Sequence, residues 1–330
     1  MKVVFCGTPQ FAVPTLKRLL TQPDFEIAAV VTQPDRPRGR GMHVSFSPVK
    51  EAALAAGVPV HQPEKIRSPE AQEFLQRIAP DCIVIIAYGQ IIPARLLPIP
   101  KHGWINLHAS LLPKYRGAAP INWAIVNGET KSGLTTMRID AGMDTGDMLL
   151  QTETAIGPQE TTPELTARMA DIGAPLMAET LRGLAAGTLP ARAQNHAEAS
   201  YAPLLKKADG RIDWTGTANE IYNRMRGFTP WPGSYTTFRG RTCHILGEPV
   251  SNDLHAAASP HAAEPLSATR ALEILPPGTI RFNDHRLFVA CGDATEIRVI
   301  SVKQEGGNKV DALEFASGAR LTEGERFLNT

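Results

Sequence analysis

The residues best suited to chemistry lie on a short run, Trp104-Ile-Asn-Leu-His108. It reads as a strand. Successive strand side chains alternate, so Asn106 and His108 project to the same side. An amide and an imidazole side by side at a strand's carboxyl end can hold a developing oxyanion and move a proton. Open α/β sheets usually bind ligands at that end. A second segment, Ile139-Asp-Ala-Gly-Met-Asp-Thr-Gly-Asp147, follows another strand-like run, Gly133 to Ile139. Its glycines permit a tight loop, and three carboxylates sit within eight residues. Asp144 is the one expected to reach His108, where it would favour imidazolium by charge pairing. Singly, a strand histidine is most often a satisfied core residue, and such a loop is a turn. Together they point to catalysis.

The elements that must position these groups read as an α/β fold. Lys2 to Cys6 is a first buried strand, turned by Gly7-Thr-Pro-Gln into a helix through Leu20. Ile27 to Val31 and Val58 to His61 are further strands, and Cys82 to Ala87 is a continuous apolar one. Ser47-Pro and Ser68-Pro open helices, each with a serine N-cap and proline at the first helical position. Strands alternating with helices predict a Rossmann-like, mainly parallel sheet covered by helices on both faces. A long helix follows from Thr162 to about Leu184, with Leu165, Met169, Ile172 and Leu176 at helical intervals. Beyond it the pattern changes to short strands with Gly and Pro turns, which predicts a small β-barrel. The expected division is 1–187, a linker over 188–208, and 209–330. Asn252 to Thr269, rich in Ala, Ser, Pro and His, reads as a loop.

Composition bounds the function. The chain has 330 residues, 43% hydrophobic and 20% charged, with net charge +1, which suits a soluble, two-domain globular protein. The first residues carry too short an apolar run for a signal peptide, and no run approaches membrane-spanning length. Cys6, Cys82, Cys243 and Cys291 form no paired motif and read as buried thiols of a cytoplasmic protein. The turn at Gly7 lacks the glycine pattern of a dinucleotide site, and no phosphate-binding P-loop is present. The acidic loop fails the spacing of a calcium loop, so no metal site is expected. Arg36, Arg38 and Arg40 cluster in a Pro/Gly loop, a positive arm suited to phosphate.

Asn106-x-His108, Ser110-Leu-Leu-Pro-Lys-Tyr-Arg-Gly117 and the loop from Asp140 to Asp147 resemble the folate-dependent formyltransferases. Gln33-Pro-Asp-Arg-Pro-Arg-Gly-Arg-Gly41 narrows the resemblance to their tRNA-directed branch. The resemblance runs over nearly the whole chain. It implies transfer of a formyl group from 10-formyltetrahydrofolate to the amine of methionine esterified to initiator tRNA, for translation initiation. It implies no metal, membrane or DNA partner. Asn106 and His108 would donate to the oxyanion, with Asp144 orienting His108. Ser110, Leu111, Leu112 and Pro113 would line the folate site, with Tyr88-Gly-Gln a weaker candidate. Phe11 is a candidate wall for the methionine side chain. Arg36, Arg38 and Arg40 would meet the acceptor stem, Arg40 mattering most. The second domain would be an OB-like barrel presenting a nucleic-acid platform. The chain departs from the pattern in two places. Met42-His-Val stands where basic residues are common, and Ala109 where glycine is frequent.

Three other readings remain at this level. A small-molecule formyltransferase shares the motifs but has no use for the arginine arm. A hydrolase releasing formate would direct the same Asn/His/Asp group at water. A non-enzymatic RNA-binding protein would leave that group without purpose.

Overall fold

The computed structural model of the protein describes residues 1–38, 43–250, 275–283 and 285–328. Arg40, the Met42 departure and the 252–269 loop lie outside the described residues. In chain order the elements begin with β1 (Lys2–Gly7), α1 (Val13–Leu20), β2 (Glu26–Val31), β3 (Arg36–Arg38) and β4 (His43–Ser45). They continue with α2 (Pro48–Ala55), β5 (Val60–His61), α3 (Pro69–Ile78), β6 (Cys82–Ile86) and β7 (Trp104–His108). Next come β8 (Arg116–Gly117), α4 (Pro120–Val126), β9 (Lys131–Arg138), β10 (Met148–Ala155), α5 (Thr162–Ala186) and β11 (Tyr201–Ala202). The remainder is α6 (Ala218–Gly227), β12 (Tyr235–Phe238), β13 (Arg241–Pro249), β14 (Ile280–Asn283), β15 (Arg286–Ala290), β16 (Glu296–Gln304), β17 (Lys309–Asp311) and α7 (Ala312–Ala319).

Contacts divide the chain into two compact units, one of Met1–Ile121 with Thr130–Leu204 and one of Asn122–Glu129 with Leu205–Thr330. The first holds a seven-stranded sheet in the order β10-β9-β7-β6-β1-β2-β5. The pairs from β7 to β5 are parallel, while β9 runs antiparallel to both its neighbours. Val3 to Cys6 and Cys82 to Val84 have no exposed surface. Burial on both faces is what their unbroken apolar sequence requires. The expected helix starts form. Ser47 accepts from the Lys50 amide at 3.1 Å and Ser68 from the Ala71 amide at 3.2 Å.

Helix α5 lies against β7 because Gly173 has no side chain. A Cβ there would sit 2.5 Å from Cδ2 of Leu107. Leu107 points toward α5, so Asn106 and His108 take the opposite face, which Trp104 shares with the core cluster of Val4, Cys6, Ile83 and Ile85. The segment read from sequence as a linker, 188–208, belongs to the first unit as far as Leu204. Arg192 exchanges backbone hydrogen bonds with Met148, both 2.8 Å. Further on, β11 pairs in parallel with β8, Tyr201 opposite Arg116.

The second unit is an antiparallel sheet ordered β12-β13-β16-β15-β14, with β17 on β16. Its two edges are joined by the chain's end. The Leu328 amide donates to the Thr237 carbonyl at 2.9 Å, and the Phe327 amide to the Gly278 carbonyl at 2.9 Å. The chain's end thereby bridges the outer strands of the sheet, as the barrel pattern predicted. Trp214, Phe238, Phe315 and Phe327 fill its core. Helix α4 is an excursion into this unit. Asn122 donates to the Gly227 carbonyl at 2.8 Å, and Trp123 meets Phe228 edge-on at 5.7 Å between ring centroids.

Candidate active site

Strand β7 delivers Asn106 and His108 at the carboxyl end of the parallel strands. His108 is 5% exposed. Its Nε2 donates to the Tyr115 carbonyl at 2.9 Å. A carbonyl only accepts, so this contact fixes the proton on Nε2 and leaves Nδ1 as the nitrogen that exchanges one. Nδ1 faces Asp144 Oδ2 at 3.7 Å. That is longer than a direct charge-assisted hydrogen bond. An Nδ1 proton can therefore point at a reacting atom while the carboxylate still acts on the ring by charge. Among the described residues the half-buried Asn106 side chain has no hydrogen-bond partner, so both its N–H groups are uncommitted.

The structure separates the three carboxylates of the loop after β9. Asp140 accepts from Thr145 Oγ1 at 2.8 and 2.9 Å and from the Gly142 amide at 3.0 Å, bracing the loop from within. Asp147 is exposed. Asp144 turns inward with a left-handed φ of 53°, and its Oδ2 accepts from the Gly117 amide at 2.8 Å.

The Ser110–Pro113 loop lies beside this group. The Ser110 hydroxyl donates to the Lys114 carbonyl at 2.5 Å, and the Leu112 amide to Thr135 Oγ1 at 3.1 Å. Gln151 holds the Leu112 carbonyl at 2.9 Å. Ser110 and Leu112 are thus buried braces, and the half-buried Leu111 and Pro113 supply the loop's apolar surface. Thr135 and Gln151 are partners that sequence reasoning missed. The only signal was a polar pair, Thr135-Thr136, in the strand-like run that precedes the acidic loop.

Loops from neighbouring strands are stitched at the same edge. Thr8 and Gln33 both donate to the Tyr88 carbonyl, at 3.2 and 3.0 Å, and Gln90 donates to Gln33 at 3.3 Å. Phe11 is half-buried in the turn after β1, and Ile91 is 92% exposed beyond Tyr88. The arginine arm leaves β2 as an antiparallel pair, Arg36 opposite Ser45 and Arg38 opposite His43, a regular stem where the sequence suggested only a Pro/Gly loop. Its foot is pinned. Asp35 pairs with Lys50 and accepts from Gln62 at 2.9 Å, and the Thr32 and Ser47 hydroxyls share a hydrogen bond of 2.8 Å. Bonds from Lys50 and then Gln62 hold the Asp35 carboxyl below the usual carboxylate range. Arg36 is exposed.

The family model described as formyl transferase matches residues 1–181, and that of the formyl transferase C-terminal domain matches residues 204–320. The chain belongs to the formyl transferase family. It is 51% identical to the methionyl-tRNA formyltransferase of Solibacter usitatus over 326 residues, 99% of this chain and 98% of that one. It is 50% identical to that of Acidobacterium capsulatum over 324 residues, 97% of each chain. Among solved structures, the fold matches WlaRD, a sugar 3N-formyltransferase, with a TM-score of 0.62 at 18% identity, covering 93% of this chain and 99% of that one. It also matches an N-formyltransferase from Helicobacter canadensis with a TM-score of 0.62 at 19% identity, covering 91% and 98%. As in other formyl transferases, the one-carbon donor is a formyl-tetrahydrofolate. Among the described residues no group of three or more His, Cys, Asp or Glu side chains is disposed to hold a metal ion, and no helix is long and apolar enough to cross a membrane.

Proposed function

We propose that this formyl transferase moves the formyl group of 10-formyltetrahydrofolate onto the amino group of methionine esterified to initiator tRNA, in the cytoplasm. Identity of about half over the full length of relatives named methionyl-tRNA formyltransferase supports the substrate. The observation that carries the chemistry is the position of His108 Nδ1, 3.7 Å from Asp144, on the same strand face as the uncommitted Asn106 amide.

Folate supplies the activated formyl carbon. The nucleophile belongs to the other substrate, so the protein needs no nucleophilic side chain. Attack by the amine turns the formyl oxygen into an oxyanion. Asn106 N–H groups and an Nδ1–H of His108 are the donors for it. Because Nε2 remains bonded to Tyr115, an Nδ1–H donor requires imidazolium, with the Asp144 carboxylate 3.7 Å away as the nearby opposite charge. Donors of this type typically contribute about 3–4 kcal/mol each to lowering the barrier. The amine loses a proton and the departing folate nitrogen gains one, with Asp144 and His108 placed to relay it. Leu111 and Pro113 give the pterin an apolar wall, and Phe11 one for the methionine side chain. Arg36, Arg38 and Arg40 meet the acceptor stem.

The test is formyl transfer assayed with methionyl-tRNA, free amines and water as acceptors. Transfer confined to the aminoacyl-tRNA supports the reading. Preferential transfer to a small amine, or release of formate, overturns it.

A further inference from the structure

Gln194 is 6% exposed and uses every hydrogen-bonding position of its amide. Nε2 donates to the Asp144 carbonyl at 2.8 Å and to the Gly146 carbonyl at 2.7 Å. Oε1 accepts from Arg116 Nε at 3.1 Å and from Nη2 at 2.7 Å. The amide's orientation is fixed by its partners, since reversal would set an oxygen against two carbonyls and NH2 against a guanidinium. Arg116 is 2% exposed, and among the described residues its other side-chain partner is His196 Nδ1 at 3.1 Å. No carboxylate pairs with it among the described residues. The fork is used to grip a neutral amide.

The grip matters because of what the amide holds. Asp144 sits at a φ of 53°, a left-handed conformation that surroundings must impose on a non-glycine residue. Two restraints impose it. Gln194 takes the backbone carbonyl of Asp144, and the Gly117 amide takes its carboxylate. Both originate in the same dipeptide, Arg116-Gly117, which β11 fixes by strand pairing. Backbone and side chain of Asp144 are thereby referred to one rigid anchor.

We propose that Gln194 is a positioning residue for formyl transfer, holding the loop so that Asp144 faces Nδ1 of His108, with Arg116 as its anchor. The proposal rests on the reading of His108 and Asp144 as the reacting pair. Gln194 touches neither substrate in this scheme. Its effect passes entirely through Asp144.

The test uses the full chain and Gln194→Glu. The carboxylate keeps the size and gains charge pairing with Arg116, but presents oxygen to two carbonyls. Melting temperature should stay within a few degrees of wild type. The value of kcat should fall about 10- to 100-fold, as a displacement near 1 Å can produce, with KM for both substrates changed less than about 3-fold. In an Asp144→Asn background, read by single turnover with excess enzyme, Gln194→Glu should add less than about 2-fold, because what it positions is already gone. Wild-type kcat in Gln194→Glu, or the same fold-loss in both backgrounds, overturns the proposal. Near-normal turnover by Asp144→Asn alone defeats the underlying reading instead. Should Gln194→Glu fail to fold, Arg116→Lys carries the test, since lysine keeps the charge but loses the fork. A smaller kcat-specific loss is expected from it, and unchanged kcat would overturn the proposal.

Discussion

The Gly117 amide donates to Oδ2 of Asp144 at 2.8 Å across 27 residues of sequence. The bond requires glycine. Gly117 has φ of +121°, and a Cβ on it would lie 2.7 Å from the Ala202 carbonyl oxygen. Gly117→Ala should therefore destabilise the protein by about 1–3 kcal/mol. It should also lower kcat by more than the melting shift accounts for. Chemical denaturation beside steady-state kinetics measures both, and a stable, fully active Gly117→Ala would contradict the role of this bond.

The three loop carboxylates should rank in effect. Asp144→Asn keeps the shape, removes the charge beside His108, and should lose turnover heavily with little change in tRNA affinity. Asp140→Asn should be intermediate, because Asp140 braces Thr145 and Gly142. Asp147→Asn should behave as wild type. Single-turnover rates for the three variants read the order directly, and an inactive Asp147→Asn would reassign the carboxylate.

Loss of an oxyanion donor has a known scale. Asn106→Ala should reduce kcat on the order of 10²–10³-fold while leaving both KM values nearly unchanged. His108→Ala should abolish turnover in a folded protein that still binds folate. Isothermal titration with a folate analogue separates binding from chemistry, and near-normal turnover of His108→Ala would remove it from the mechanism.

The arginine arm should respond to salt. If Arg36 meets one phosphate of a duplex acceptor stem, Arg36→Ala should flatten the slope of log affinity against log salt by roughly 1. Arg40→Ala should weaken use of whole tRNA far more than folate binding, and Arg40→Lys distinguishes charge from planar stacking. Transfer rates at several salt concentrations, with initiator and elongator tRNA, test the arm. Wild-type behaviour of both alanine variants would favour a small-molecule acceptor.

The foot of the arm carries a pH dependence of definite sign. The Asp35 carboxyl is held down by Lys50 and Gln62. A depressed carboxyl adds stability above its unfolded pKa of about 3.9 and loses it as pH falls through the lower folded value. The stability difference between wild type and Asp35→Asn should therefore be flat from about pH 5 to 8 and shrink only below about pH 4. Urea titrations across that range would show it, and a difference that grows on acidification would refute it.

Local sequence pattern made much of this legible. The strand Trp104–His108 and the serine-proline helix starts read directly, because period and capping are local properties. The barrel's closure by residues 325–328 was not visible, since it depends on pairing with strands far away in sequence. Gln194 escaped for the same reason. Its partners lie 48 to 78 residues off, and a lone glutamine in an irregular stretch carries no period. The regular stem of the arginine arm was hidden by Pro37, which argues against a strand except at an edge.

Helix α4 bears on how such a chain can be cut or recombined. Residues 122–129 lie between stretches of the first unit yet pack in the second, so the polypeptide passes between units at 121/122, 129/130 and 204/205. A fragment ending at Leu204 would retain Trp123 without Phe228 and Asn122 without the Gly227 carbonyl. A fragment beginning at Leu205 would lack the helix they belong to. Exchanging the barrel between relatives by a single crossover near residue 204 would thus carry a mismatched helix, and a workable graft must transplant 122–129 with it.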